Sequence, residues 1–485
     1  GLMNYKVVIY MLGKISWACG CTMVLPLLVA VWYSEQSIGA FVIAIGICLA
    51  VGKLCTLQGE AATAEMTNRE GIAITSLGWI MVTFLGMVPY TAGGYVGVLD
   101  VIFESISGLS GTGATIITDL EVLPQSILLW RALTHWIGGL GIIVIFIALF
   151  PQIGRGMVHM FNAESTGPTA ERTMPRIKEM AKALFCVYAA FTAAATVVCM
   201  LCGMNVVTAL EHAFSTIATG GFSPYNDSAA HFHSPVIEGV LAFFMLISSA
   251  NFGMYVAAWH RGFKVILRDT EFRTYLGIVT AASIGITLNL ILQQGWNGGE
   301  AFRQAFFQAV SISSSTGFVS SDFDMWPSFS KFILLFLMFV GGCAGSTAGG
   351  LKVTRLLLLC HVIRVAVQET LHPRMVYHVR SNGEDFSADV IYGVIRFFFV
   401  YMALDVLWSF LLIWDGVPIF DAIGVSVSTM GSCGPAFGLF GATCTYADMP
   451  AFGKGIVCLA MLMGRLESFT VLALLMPSFW KRQSW

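Results

Sequence analysis

Four segments rich in serine, threonine and glycine recur along the chain, and their residue types suit the coordination of a cation by oxygen atoms. They read SGLSGTGATI (107–116), FSTIATGGFSP (214–224), SISSSTGFVSSD (311–322) and VSTMGSCGPAFG (427–438). A loop whose backbone carbonyls face one way can replace the water shell of a dehydrated ion. Glycine is needed in such a loop because residues with a Cβ resist the required φ values.

Aligned on one glycine, the four segments give Gly113, Gly220, Gly317 and Gly434, spaced by 107, 97 and 117 residues. A single glycine loop would be an ordinary turn, whereas four at equivalent places predict an ion-selective filter built from one chain. Hydroxyls before the glycines can add an oxygen or satisfy backbone groups. The predicted ion-binding residues are Gly111, Thr112, Gly113, Thr219, Gly220, Thr316, Gly317, Cys433 and Gly434.

A further glycine-rich segment, GGCAGSTAGG (341–350), interrupts an apolar stretch. Its small residues around Ser346 and Thr347 break a helix rather than continue it, and unwound backbone inside a membrane must be buried or face a cavity. The alternative is a close helix-packing surface. A phosphate-binding loop is excluded because no Lys-Ser/Thr directly follows the last glycine and no strand precedes it.

A few polar residues lie inside apolar stretches. Arg465, close to Glu467, interrupts a predicted span, and an intramembrane charge is costly and by default functional. Below a filter it would raise the barrier for cations; alternatively it forms a structural ion pair with Glu467 or Glu104. Asn251 either lines the pathway or links helices. His135 has no second ligand at metal-binding spacing, so it is predicted to be a hydrogen-bonded core residue.

Membrane-spanning helices must position these residues, because 56% of the 485 residues are hydrophobic and only 11% are charged. Soluble globular proteins carry about 25% charged residues, so the composition excludes that class. Crossing the hydrocarbon core takes about 20 apolar residues. Ten stretches meet this length: 7–32, 37–57, 72–92, 127–151, 179–203, 235–258, 275–294, 329–363, 389–414 and 452–478.

Four further apolar stretches are too short to cross and predict re-entrant helices. They lie near 99–109, 206–217, 300–313 and 419–430, each between two spans and each followed by a glycine segment. The repetition predicts an all-α integral membrane protein with four span–pore helix–span repeats in a pseudo-fourfold array plus two N-terminal transmembrane helices. The predicted boundaries are 3–70 for the N-terminal pair, then 71–155, 156–265, 266–368 (with the interrupted helix) and 369–485 for repeats 1 to 4.

Basic residues predict the orientation by the positive-inside rule. Most lie in the loops 53–70, 152–182, 259–274 and 352–380 and in the tail 481–482. Both termini are therefore predicted to be cytoplasmic, with all four glycine loops opening outward. The outer side is acidic, which would focus cations at the mouth, unless these charges only aid solubility. Its acids are Asp100, Asp119, Glu121, Asp227, Asp322, Asp324, Asp415, Asp421 and Asp448.

No motif points to catalysis or to a covalent cofactor. HExxH and GxSxG do not occur, which argues against an intramembrane hydrolase, and a membrane enzyme is kept only as a remote alternative. The CxxC from Cys199 to Cys202 lies in an apolar run that suits packing. A net charge of −2 gives no broad basic surface for nucleic acid. Whether Cys433 and Cys444 form a disulfide is left open.

Over essentially its whole length the sequence resembles the Trk/Ktr/HKT superfamily of potassium transporters, and within it the TrkH-type membrane subunits. The glycine segments carry the resemblance, together with WRALTHWIGGLGIIVI (130–145), VGGCAGSTAGGLKVTR (340–355) and MGRLESFTVLALLMP (463–477). In that family a filter glycine in all four repeats is associated with potassium, and a serine in the first repeat with sodium. This chain has Gly113, and it departs from the family pattern at Cys433.

The resemblance implies potassium uptake across the bacterial inner membrane, with potassium at the filter as the transported ion. It also implies a homodimer resting on a ring of cytosolic nucleotide-binding subunits of TrkA or KtrA type. The glycine-rich segment would be an intramembrane gate below the filter. Its residues would be Gly341, Gly342, Cys343, Gly345, Ser346, Thr347, Gly349 and Gly350. A sodium or mixed-cation pathway, and a cation symporter rather than a gated channel, stay open.

Overall fold

The computed structural model describes residues 4–60, 68–141, 174–376, 380–381, 384–385 and 387–466. Within these ranges the regular elements are helices, apart from one short antiparallel pair of strands, Arg380–Ser381 with Glu384–Asp385. Six of the described helices are long and apolar enough to cross a membrane, and one bent helix pair would make a seventh. The predicted all-helical membrane architecture is confirmed.

The long helices are the N-terminal pair and the first span of each predicted repeat. They are Tyr5–Thr22 continued by Val24–Trp32, Ile38–Gln58, Asn68–Ala92, Met174–Leu201, Thr270–Gln294 and Ala388–Trp414. Gln125–Trp136 with the π-turn Ile137–Gly141, and Ala451–Leu466, each run to the edge of a described range. The predicted span ends at 151 and 478, the boundary at 155 and Glu467 lie outside the described residues.

Four shorter helices alternate with the spans, and we name them short helices 1 to 4. They are Val98–Ser110, Val206–Ile217, Gly298–Ser313 and Ile419–Met430. Their C-terminal halves are almost fully buried. Asparagine side chains begin two of them: Asn205 accepts from the Thr208 N–H, and Asn297 accepts from the Gly299 N–H, as is typical of N-caps. The four predicted re-entrant stretches therefore form helices at the expected places.

Two predicted spans are broken in the structure. The stretch 235–258 forms Pro235–Ser248 and Phe252–Arg261, which are bent by 83°. Apolarity alone predicted one helix here. Instead, the Asn251 side chain accepts from the Gly253 N–H at 2.9 Å and so caps the beginning of a second helix. The stretch 329–363 forms Ser328–Val340 and Val353–Leu371, separated by the residues 341–352, as its glycines predicted.

The remaining described elements are short. They are the helix Lys264–Arg268 and the 3₁₀ turns Ser228–Phe232, Phe323–Met325 and Gly438–Phe440. The hydrophobic core does not divide along the repeats. One buried cluster joins Ala209 and Met245 of repeat 2 to Phe307 of repeat 3 and to Cys433 and Phe437 of repeat 4. Burial of apolar surface thus holds the repeats together around the four glycine segments.

Candidate functional site: a ring of four glycine loops

Each short helix ends in a loop with the same backbone conformation. We name the residues 111–116, 219–224, 315–320 and 432–437 glycine loops 1 to 4. The first residue of each loop has a positive φ: 71° at Gly111, 52° at Thr219, 64° at Ser315 and 58° at Ser432. Two residues later a glycine again has a positive φ: 77° at Gly113, 86° at Gly221, 81° at Gly317 and 104° at Gly434. Three of the four loops thus begin with a non-glycine residue in a conformation that usually favours glycine.

The four loops contact one another in a closed ring. A Cβ on Gly113 would overlap the Gly220 carbonyl oxygen, one on Gly221 would overlap that of Thr316, and one on Gly317 would overlap that of Cys433. The ring closes because a Cβ on Gly434 would crowd the carbonyl oxygen of Thr112. We name Gly113, Gly221, Gly317 and Gly434 the ring glycines. In each repeat the carbonyl of the residue before the ring glycine abuts the ring glycine of a neighbouring repeat, so size and φ both require glycine at these positions.

The ring corrects the predicted register of repeat 2. Gly221, rather than Gly220, is equivalent to Gly113, Gly317 and Gly434, and Gly220 takes the place of Thr112. The backbone hydrogen bonds agree, since the N–H before each ring glycine donates to a serine carbonyl in the short helix. These bonds are Thr112 to Ser107 (3.1 Å), Gly220 to Ser215 (2.8 Å), Thr316 to Ser311 (3.0 Å) and Cys433 to Ser428 (2.8 Å).

The misalignment has a plain cause in the sequence. Thr219-Gly220 has the same two residues as the Thr-Gly pairs 112–113 and 316–317, but it is followed by a second glycine, Gly221. The structure places Thr219 at the beginning of its loop, where its hydroxyl donates to the Ala218 carbonyl at 2.7 Å. Thr219 therefore does not occupy the position before the ring glycine that we predicted for it, while Gly220 remains in the ring through its carbonyl.

Serines of the short helices set the direction of the loop carbonyls. Ser215, Ser311 and Ser428 donate their hydroxyls to the carbonyls that follow the ring glycines, those of Phe222 (2.6 Å), Phe318 (2.7 Å) and Pro435 (2.7 Å). The carbonyls of Thr112, Gly220, Thr316 and Cys433 accept no hydrogen bond from any part of the chain that the structure describes. A ring of four buried oxygens without donors is suited to a cation, because buried acceptors otherwise go unsatisfied.

Side chains beside the ring differ between the repeats. The Thr112 and Thr316 hydroxyls lie 2.7 and 2.8 Å from the hydroxyls of Ser110 and Ser314. In repeat 4 the Cys433 thiol donates to the Ile312 carbonyl at 3.8 Å. Both cysteines carry free thiols; Cys433 is buried and Cys444 is exposed. The structure thus contains no disulfide between them, and Cys433 keeps its carbonyl in the ring.

A cavity of about 140 Å³ is lined by all four ring glycines. We name it the outer cavity because the sequence predicts that this side faces outward. Tyr446 fixes one side of it, donating its hydroxyl to the Gly434 carbonyl at 2.6 Å and its N–H to the Thr115 carbonyl at 2.9 Å. Burial raises the pKa of this phenol. It therefore stays a neutral donor at physiological pH.

Several predicted outer acids make local contacts. Asp100 pairs with Lys454 at 2.8 Å. Asp415 accepts from the Gly453 N–H at 3.1 Å, and Asp324 accepts from the Gly438 N–H at 2.8 Å. These contacts hold the surrounding loops in place. Asp119 and Asp227 have local partners too: Asp119 accepts from the Asn226 side-chain amide at 3.1 Å, and Asp227 lies 3.1 Å from His231 Nδ1.

A buried ion pair behind glycine loops 1 and 2 was missed by the sequence analysis. Arg131 and Glu104 lie 3.0 Å apart with side chains 1% and 0% exposed. Glu104 also accepts from the Ile116 N–H at 3.1 Å, and Arg131 donates to the Ser223 carbonyl at 3.2 Å. The pair thereby ties two neighbouring loops together. The sequence did contain a signal: Glu104 and Arg131 each lie inside an apolar segment, where a charged side chain needs a partner.

This pair also excludes one predicted contact, since Glu104 is bound to Arg131 and not to Arg465. The neighbouring His135 behaves as predicted for a core histidine. Its Nδ1 lies 2.7 Å from the Gly108 carbonyl, and its Nε2 accepts from the Phe222 N–H at 3.2 Å. His135 therefore supports glycine loop 2 and does not belong to a metal site among the described residues.

The residues 341–352, which we name the 341–352 loop, lie against the C-terminal ends of three short helices. Thr347 donates to the Ile217 carbonyl at 3.0 Å, and the Gly349 N–H donates to the Ser315 hydroxyl at 3.0 Å. A Cβ on Gly349 would overlap the Gly431 carbonyl oxygen. Apart from the half-buried Gly345, residues 341–352 are buried. The loop therefore packs directly against the ends of short helices 2, 3 and 4.

Hydrogen bonds hold this loop at its base and on its sides. At the base, Leu351 and Lys352 donate their N–H groups to the carbonyls of Phe339 (2.9 Å) and Val340 (2.8 Å). On the sides, the Cys343 N–H donates to the Ser249 carbonyl at 2.9 Å and the Ala344 N–H donates to the Glu271 carboxylate at 3.1 Å. The loop is therefore an unwound segment held by hydrogen bonds to neighbouring elements.

Arg465 bridges the 341–352 loop to repeat 1. Its guanidinium donates to the Gly138 carbonyl at 2.7 Å, to the Gly139 carbonyl, and to the Thr347 carbonyl at 3.4 Å. Asn251 caps the helix Phe252–Arg261, and a Cβ on Gly345 would crowd its side chain. Both residues predicted to shape the pathway thus contact or adjoin the 341–352 loop.

Comparison with known proteins agrees with this geometry. The TrkH family profile, described as a cation transport protein, matches residues 37–482. The chain is 35% identical over 484 residues to the Trk system potassium uptake protein TrkH of Halomonas elongata, and 36% identical over 486 residues to that of Vibrio parahaemolyticus. Each match covers 99% of this chain and 100% of the relative.

The crystal structure of the potassium transporter TrkH from Vibrio parahaemolyticus has the same fold. It matches with a TM-score of 0.89 at 34% identity, over 99% of this chain and 100% of that one. Family and fold agree over nearly the full length, and the family is one of transporters rather than enzymes. The chain therefore belongs to the TrkH family of cation transport proteins.

Proposed function

We propose that this chain mediates potassium uptake across the bacterial cytoplasmic membrane, with the glycine-loop ring as its selectivity filter. One observation carries the proposal: the carbonyls of Thr112, Gly220, Thr316 and Cys433 each abut the ring glycine of a neighbouring repeat. Four oxygens arranged in this way can replace the hydration shell of a potassium ion. Potassium is then the transported ion, and no covalent cofactor is needed.

The short helices add an electrostatic contribution. Each runs toward the ring and ends just before its glycine loop. A helix C-terminus carries about −0.5 of an elementary charge, so four of them stabilise a cation that has lost its water. Thr112 and Thr316 contribute hydroxyls next to the ring, and Gly111 gives loop 1 its first turn.

The 341–352 loop is the proposed gate. It contacts Ile217 and Ser315 on the inner side of the ring, where it would obstruct an ion leaving the filter. Its residues Gly341, Gly345 and Gly350 have positive φ values of 73°, 73° and 89°, so the loop depends on glycine conformational freedom. Arg465 would hold the loop closed and also oppose cations by its charge.

The proposed assembly is a homodimer on a cytosolic ring of nucleotide-binding subunits of TrkA or KtrA type. The named relatives are proteins of a Trk system, which supports a role with other components. The excess of basic residues in the loops opposite the glycine segments supports a cytoplasmic location for those loops and for both termini. The helix Val353–Leu371 directly follows the gate and would transmit movement of the partner to it.

A sodium or mixed-cation pathway is the competing proposal. Glycine at position 113 favours potassium, because the family members with serine in the first repeat carry sodium. Whether the ion moves alone as in a channel or together with a second cation is a separate alternative that the same ring could serve.

Flux in liposomes tests the proposed function. Purified protein would be reconstituted and the uptake of potassium and of sodium measured separately under an imposed membrane potential. We expect potassium uptake well above that of protein-free liposomes and above sodium uptake. Equal uptake of the two ions would favour the mixed-cation alternative. A dependence of potassium uptake on a sodium or proton gradient would favour a symporter.

A further inference from the structure

We propose that the outer face carries a binding site for a divalent transition-metal ion, formed by Glu121, Asp227 and His231, and that the bound metal slows cation uptake. The ligand atoms of these three residues lie within 4.8 Å of one another. His231 Nδ1 is 3.1 Å from an Asp227 carboxylate oxygen and 4.0 Å from one of Glu121. Small side-chain rotations would bring all three onto one ion.

The ligand set identifies the class of metal. One imidazole nitrogen and two carboxylates suit zinc and related transition metals, which accept nitrogen and oxygen together. Magnesium and calcium prefer sites made entirely of oxygen. Three protein ligands leave further positions for water, and the side chains are 39% to 50% exposed, so an ion can enter from outside.

The site is held in place by neighbouring residues of three repeats. The His231 ring stacks on Tyr225, with centroids 3.6 Å apart and planes 8° apart. Asn226 accepts from the Leu120 N–H at 2.7 Å, which fixes the chain beside Glu121 relative to the chain beside Asp227. The turn that carries His231 also donates the Ala230 N–H to the Val319 carbonyl of glycine loop 3 at 3.0 Å.

The position of the site predicts its effect on uptake. Leu120, Tyr225 and Asn226 line the outer cavity above the ring, so a metal bound by their neighbours lies beside the mouth. Two carboxylates at a mouth raise the local concentration of cations. A divalent ion would cancel that charge and would link the segment after glycine loop 1, which carries Glu121, to the segment after glycine loop 2, which carries Asp227 and His231. Uptake should therefore fall without any contact between the metal and the ring.

Zinc titration tests the site by two independent readouts. Untagged protein would be titrated with ZnCl₂ by calorimetry, and potassium uptake would be measured in liposomes with external ZnCl₂. We expect H231Q to weaken binding and inhibition, on the order of ten- to a hundredfold, the range seen even for groups that only orient a ligand. D227N should act in the same direction. H233Q, the same change two residues away and outside the cluster, should behave like the parent.

Two further controls ask whether a nearby thiol or any divalent ion would produce the same effect. The exposed thiol of Cys444 lines the same cavity, so the titrations are repeated in C444S, where binding and inhibition should persist. MgCl₂ at equal concentration should not reproduce the effect. Equal zinc binding by the parent and H231Q, or loss of binding only in C444S, would overturn the site. The calorimetric readout does not depend on transport, so the site can stand or fall separately from the proposed function.

Discussion

The ring glycines are single residues at which backbone conformation and crowding coincide. Gly113 combines a φ of 77° with direct contact to the neighbouring Gly220 carbonyl. Any Cβ there must either displace that carbonyl or change the backbone. Since the carbonyls would set the fit of the ion, selectivity should depend on this residue more than stability does.

We therefore expect G113S to reduce the preference for potassium over sodium by at least about tenfold, equivalent to about 1.4 kcal/mol. The measurement is the ratio of potassium to sodium uptake in liposomes. Gly94 provides a matched control, because it has a φ of 69° but open space around it. G94S should keep the parental ratio. An unchanged ratio of potassium to sodium uptake in G113S would show that glycine loop 1 is not part of the filter.

Arg465 contacts three carbonyls, and in the proposed gate it would act through these contacts and through its charge. R465Q removes the charge and the guanidinium's fork of donors, so we expect potassium uptake to rise on the order of tenfold, equivalent to lowering a barrier by about 1.4 kcal/mol. R465K keeps the charge but cannot reproduce the planar fork of donors, so its rise should be smaller. A fall in uptake in R465Q at normal protein abundance would instead assign Arg465 to structural bracing alone.

At the scale of helices and loops, most elements were predictable because their causes are local. The stretches 206–217 and 419–430 form the helices Val206–Ile217 and Ile419–Met430, since apolar length and the following glycines define both ends. The break at 341–352 was readable from its glycines. The bend at Asn251 was not predicted. Its cap is local, but the Phe252 N–H at the start of the second helix donates to the Gly345 carbonyl at 3.1 Å, a long-range contact that no sequence spacing marks.

The site was predictable in composition but not in every position. In glycine loops 1, 3 and 4 the predicted alignment matches the structure, whereas Thr219 and Gly220 are each shifted by one place, because two adjacent glycines allow two alignments. The contact between Gly221 and the Thr316 carbonyl, the φ of Gly221 and the bond from the Gly220 N–H to the Ser215 carbonyl distinguish these alignments, and all three need the structure. The Arg131–Glu104 pair escaped prediction because its members lie on different helices, and no sequence spacing marks such a contact.

Shortening the 341–352 loop tests the gate as an element. Removal of residues 344–348 deletes the tip while leaving the hydrogen bonds at the base, from Leu351 to Phe339 and from Lys352 to Val340. We expect potassium uptake that is several times faster and no longer depends on a cytosolic partner, because the obstruction behind the ring is gone.

The control S346A changes one side chain of the tip, whose hydroxyl donates to the Cys343 carbonyl at 2.6 Å, and leaves the backbone intact. It should loosen the loop without freeing uptake from the partner. A well-folded deletion variant, monodisperse after purification, that still fails to transport without partner would contradict a gating role for this loop.

At the scale of the whole molecule, one chain builds a ring from four unequal loops. Their backbones agree in φ and in hydrogen bonds, while their side chains differ: Thr112 and Thr316 carry hydroxyls, Gly220 has no side chain and Cys433 has a thiol. This division supports the proposal that ion binding would depend on the carbonyls that all four share. One hydrophobic cluster packs repeats 2 to 4 together, and a second packs Ile106 and Ala114 of repeat 1 with Val425 and Met430 of repeat 4.

Locating the ion in the protein tests this account most directly. Rubidium can replace potassium and scatters X-rays anomalously, so crystals grown in rubidium chloride would show where the ion lies. We predict an anomalous peak on the axis between the carbonyl oxygens of Thr112, Gly220, Thr316 and Cys433, and a much weaker peak there in G113S. Well-ordered glycine loops without a peak between those oxygens, or with the rubidium bound elsewhere, would contradict the account.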